Sequence, residues 1–61
     1  MHKYVDAIEF LANRMYHSYM GGGSGIVDGA AAEIVAYMFE VNVAYVHQDA
    51  NEAFKGRFKE V

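Results

Sequence analysis

The sequence contains no cysteine and no proline. Without cysteine there is neither a disulfide framework nor a thiolate metal site, so packing or partners must stabilise so short a chain. Without proline, glycine and capping residues are left as the main signals that interrupt a helix. Threonine is also absent, and Ser18 and Ser24 are the two serines. Nucleophilic catalysis needs a hydroxyl or thiol beside a base that a third group orients. Ser18 follows His17, and adjacent helical residues do not face each other. No catalytic residue is expected, and the chain is read as a binding protein and not an enzyme.

Lysine and arginine are missing from Met15 to Phe54, while Asp28, Glu33, Glu40, Asp49 and Glu52 lie in that stretch. Nucleic-acid binding needs cations along the backbone path, and the middle of this chain offers the opposite sign. The cations sit at the two ends, at Lys3 and Arg14 and at Lys55, Arg57 and Lys59. The tail from Phe54 to Lys59 does interleave aromatics with cations, as base-stacking surfaces do. Three charges beside an acidic body suit the offset of a helix dipole better, which argues against nucleic acid as the partner. No apolar run approaches the ~18 residues of a membrane helix, and the first residues lack the layout of a secretory signal. A cytoplasmic protein away from the membrane is expected.

What the chain does have is apolar surface in excess. Its 61 residues, 54% of them hydrophobic, make a single domain over 1–61 with a net charge of −3. A chain this short buries only about 60% of its unfolded surface when it folds alone. Covering the remainder predicts self-association as a homo-oligomer.

The periodicity predicts an all-α fold. Tyr4, Val5, Ile8, Leu11, Ala12, Met15 and Tyr19 recur at three- and four-residue spacings, which predicts a helix over 3–20. Gly21-Gly22-Gly23-Ser24-Gly25 ends it, with Gly21 as the left-handed cap. Ser24 or Asp28 is suited to start a second helix. Val27, Ala31, Ile34, Val35, Met38, Val41 and Tyr45 form its apolar stripe, so an antiparallel helical hairpin is expected. A second stripe of Phe39, Val43, Val46, Ala50 and Ala53 lies roughly 100–140° around the same wheel. One facing helix cannot cover both stripes. Either a third helix folds back over the second stripe or another copy of the chain does. With no glycine or proline between residues 30 and 55, a long helix over about 28–58 is expected, with a kink or break near 47–50 where Asp49 and Glu52 resemble a capping box. A strand over Val41–Val46 is the rival reading, since that run is rich in strand formers.

The expected assembly is a helical-bundle oligomer joined through Phe39, Val43, Val46, Phe54 and Phe58. Phe10 stands among Asp6, Asn13, Arg14 and His17 on the polar face of the first helix, which marks it as a contact residue. Together with an acidic face of Glu33, Tyr37, Glu40 and His47, it would suit a basic surface on a protein partner. The chain is therefore read as a small acidic interaction module that binds, regulates or inhibits another protein. The alternative is a small-molecule or nucleotide binder with its site between subunits, at Gly22, Gly23, Ser24 and Gly25, where free amides and a helix dipole favour an anion. That loop lacks the lysine and the preceding strand of the known phosphate-binding motifs, and its composition is equally that of a flexible linker. His2, His17 and His47 are scattered, and Glu40 and His47 stand about 10 Å apart on a helix axis. No metal and no cofactor is expected.

Overall fold

Three helices follow one another, α1 (Tyr4–Met20), α2 (Gly29–Phe39) and α3 (Val43–Gly56). They are taken from a computed structural model that describes residues 3–58. The all-α expectation holds, and among the described residues there is no strand, so the strand reading of 41–46 is corrected. None of the three helices is long and apolar enough to cross a membrane.

Each helix is bounded by local chemistry. In α1 the Asp6 carboxylate accepts from the Lys3 amide at 3.4 Å and places its charge where the helix dipole favours it. At the far end the Gly21 N–H donates to the His17 carbonyl at 3.0 Å. Gly21 itself has φ −87°. The left-handed residue is Gly22, at φ 97°, one position later than expected. Gly25 also has positive φ, and a Cβ there would stand 3.0 Å from the Phe54 ring, so both its conformation and its neighbours require glycine. Asp28 starts α2, its Oδ1 accepting from the amides of Ala30 at 3.0 Å and Ala31 at 3.3 Å.

The long helix expected over about 28–58, with its break near 47–50, is two helices, and the break falls at Glu40–Val41–Asn42. The region near 47–50 lies inside α3. Glu40 adopts left-handed geometry, at φ 56° and ψ 45°. The Val41 N–H reaches back to the Ala36 carbonyl at 3.0 Å and the Glu40 N–H to that of Tyr37 at 3.4 Å. This paired closure is the Schellman motif, which glycine normally ends. Asn42 then caps α3 by accepting from the Ala44 amide at 2.8 Å. Two caps placed back to back end one helix and start the next without glycine or proline.

α3 packs on α1 most extensively and on α2 next. The core between them is built from Ile8, Leu11, Ala12 and Met15 of α1, Val27 of the connecting loop, Ala32 and Ala36 of α2, and Val46 and Ala50 of α3. Leu11, Met15 and Val46 fill the middle, and the alanines let the helices approach. Two polar clasps join α3 to α1. The Tyr4 hydroxyl donates to Asp49 at 2.7 Å. Arg57, the residue that follows α3, donates to the Ala53 carbonyl at 2.8 Å and to the Glu9 carboxylate at 2.8 Å, and its guanidinium also meets the Asn13 side-chain oxygen. Burial, with the hydrogen bond and charge of Asp49 beside it, pushes the Tyr4 phenol up to about 12.

Candidate functional site

The least satisfied surface belongs to α2. Its sequence, GAAAEIVAYMF, holds one charged residue, Glu33. A helix this apolar is normally covered on most sides, yet α2 fully buries only Ala32 and Ala36, with Ala31 and Val35 packed partly against the core. Ile34, Tyr37 and Met38 are left outside, exposed by 60%, 86% and 64%. α1 adds Phe10, 57% exposed. α1 and α2 meet less extensively than either meets α3. A hollow of about 350 Å³ remains between them, lined by Asp6, Ala7 and Phe10 on one side and Val35, Met38 and Phe39 on the other. Phe10, Met38, Ile34 and Tyr37 thus form one apolar surface running from the hollow across α2.

Charges stand at its margins. The Arg14 guanidinium lies 5.8 Å from the centre of the Phe10 ring, within cation–π range. It also pairs with Asp28 at 3.3 Å, both side chains being solvent-exposed, so the pair holds little energy and remains free to exchange partners. Asp28 caps the start of α2, and Asp6 lines the hollow beside its end. The two ends of the face therefore differ, with the Arg14–Asp28 pair at one and the Asp6 carboxylate, which accepts from the Lys3 amide, at the other.

The predicted site residues are redistributed. Of the residues assigned to self-association, Val46 is wholly buried within its own chain and Val43 packs against the core. Phe39 meets the Tyr4 ring edge-on at 5.6 Å. Phe54 and Phe58 close an aromatic cluster with Tyr16 and Tyr19. The second stripe thus packs largely against α1 and α2 of the same chain, because α3 folds back, while Phe58 stays 47% exposed. Of the residues assigned to a partner, Phe10, Glu33, Tyr37 and Glu40 are exposed, whereas His47 is half-buried on α3. The turn at Glu40 removes the single helix face they were expected to share.

The glycine segment is closed upon itself. The Gly22 N–H donates to the Tyr19 carbonyl at 3.1 Å and the Gly23 N–H to that of Ser18 at 2.7 Å. Those amides complete the end of α1. The start of α2 holds the Asp28 carboxylate where an anion would sit. Gly22, Gly23, Ser24 and Gly25 therefore form a turn whose amides are already engaged at two of the four positions.

Ile34 and Met38 were missed as surface residues. A helical wheel ranks large apolar residues as buried, and both fell within the expected buried stripe. The available signal was the alanine pair Ala32 and Ala36, whose small side chains allow the close approach of α3 that decides which side of α2 faces inward. No protein family, curated protein or solved structure matches this chain.

Proposed function

We propose that this chain is a small acidic protein-interaction module that binds through the apolar face of α1 and α2, and thereby regulates or inhibits what it binds. The observation that carries this reading is the exposure of Phe10, Ile34, Tyr37 and Met38 on one continuous surface. Apolar patches of this kind on small proteins mark interaction sites. Tyr37 and Phe10 are the residue types that anchor interfaces, bringing large area at low entropy cost. Glu33 and Glu40 at the rim would steer a basic partner surface and set its orientation.

The test uses a photo-activatable phenylalanine analogue in place of Tyr37, in the cells that make the protein. The same analogue in place of Tyr45, an exposed tyrosine of α3, serves as control. Light should produce a discrete higher-mass adduct from position 37 and none from position 45. An absence of adduct at 37, or equal labelling at both positions, would overturn the reading.

A further inference from the structure

Resting on that reading, we infer that the occupant of the face is a second copy of this chain, docked across a two-fold axis that passes beside Ile34, with the two α2 helices antiparallel. Three observations lead to this arrangement.

The first is the order of side-chain sizes along α2. Its first turn is small, Gly29, Ala30, Ala31 and Ala32, and its outward second half is large, Ile34, Tyr37 and Met38. A two-fold interface must be complementary to itself, so each residue meets its mirror position on the partner. Antiparallel pairing centred on Ile34 sets the exposed Ala30 of one helix against Met38 of the other, and Ala31, half-buried against its own core, against Tyr37. Large side chains then rest on small ones at both ends, and Ile34 meets the partner's Ile34 at the centre. A parallel pairing would stack Tyr37 and Met38 on their own copies at one end and leave a gap at the alanines. Glu33 lies about 100° around the helix from Ile34, at the edge of the contact and not within it.

The second observation is charge. Arg14 sits beside the beginning of α2, paired with Asp28. Asp6 lines the hollow beside its end. The same two-fold rotation carries Arg14 of one protomer toward the partner's Asp6, and does so twice. The third is area. Phe10, Ile34, Tyr37 and Met38 together expose on the order of 500 Å² of side chain, and the neighbouring alanines add to it. That approaches the ~800 Å² per partner found in stable interfaces.

The absence of cysteine makes the arrangement directly testable. In Ile34→Cys the new thiol is the only one in the chain, and at a two-fold axis it faces its own copy. Helix axes 8–10 Å apart bring the paired Cα atoms to about 5 Å, within disulfide range. Ile34 is largely exposed, so the substitution leaves the core intact, which circular dichroism can verify. Light scattering on the unmodified protein should give twice the chain mass. Mild oxidation should link I34C chains at least tenfold faster than Y45C chains, whose thiol lies on α3. A monomer mass over the full concentration range overturns the inference, as does a dimer in which I34C links no faster than Y45C. If the protein is monomeric while position 37 photo-labels a different protein, the second copy is excluded and the interaction reading stands.

Discussion

Tyr4 donates its hydroxyl to Asp49 across 45 positions of sequence, and only the neutral phenol can do so. Burial, then the hydrogen bond and charge of Asp49, raise its pKa from 10.0 to about 12. The folded state thus holds this proton more tightly than the unfolded chain. The stabilisation is complete below pH 10 and is lost as the pH rises toward about 12. Denaturant midpoints should therefore fall across that alkaline window, and Tyr4→Phe should lack this part of the fall. An identical fall in the variant would assign it to other groups. The same pair shows where residue-level reading succeeds and stops. Asp28 was legible as a cap because its partners are two and three positions away. Asp49 suggested a capping box for the same local reason, and its actual partner is a tyrosine near the beginning of the chain, which no short-range pattern contains.

At the scale of elements, the sequence shows that two apolar stripes lie too far apart for one neighbour, and this is what the break into α2 and α3 resolves. It does not show the place of the break, because the chain changes direction without glycine or proline. Glu40 occupies the left-handed position at φ 56°, where a residue with a Cβ loses roughly 1–2 kcal/mol. Glycine there would relieve that strain and give back about 0.4–1 kcal/mol through the greater freedom of the unfolded chain. The relief is the larger effect. Glu40→Gly should stabilise the protein by up to about 1 kcal/mol, read as a higher urea midpoint with an unchanged slope. A lower midpoint would mean that the glutamate side chain contributes more than the backbone strain costs. Helix orientation was legible for α1, whose buried Ile8, Leu11, Ala12 and Met15 all lie on the stripe read from the sequence. It was not legible for α2, whose apolar residues occupy most of its circumference, with Glu33 the one charge. There the inward face was decided by which residues allow close approach, and the alanines do so better than Ile34 or Met38.

For the whole molecule, the balance between interior and surface follows from chain length. Among the described residues, four of the nine buried hydrophobic ones are alanines, Ala12, Ala32, Ala36 and Ala50, and alanine buries little area. Large apolar side chains that a bigger protein would enclose stand outside on α1 and α2. A fold with so small an interior gains disproportionately from covering them. If the cover is a second copy, folding and association are linked, and each tenfold rise in concentration above the dissociation constant adds about 1.4 kcal/mol per dimer, or about 0.7 kcal/mol per chain, to the apparent stability. In a domain of this size that raises the thermal midpoint by several degrees. Scanning calorimetry over a hundredfold concentration range should show the midpoint climbing for the unmodified chain. Ile34→Glu places two carboxylates against each other on the two-fold axis and should flatten the dependence. At high dilution, where the unmodified chain is also monomeric, the two midpoints should converge, because Ile34 lies outside the core. Tyr45→Glu, which charges α3 instead, should leave the climb intact. A flat midpoint for the unmodified chain would remove the second copy from the face and leave its cover to a different protein.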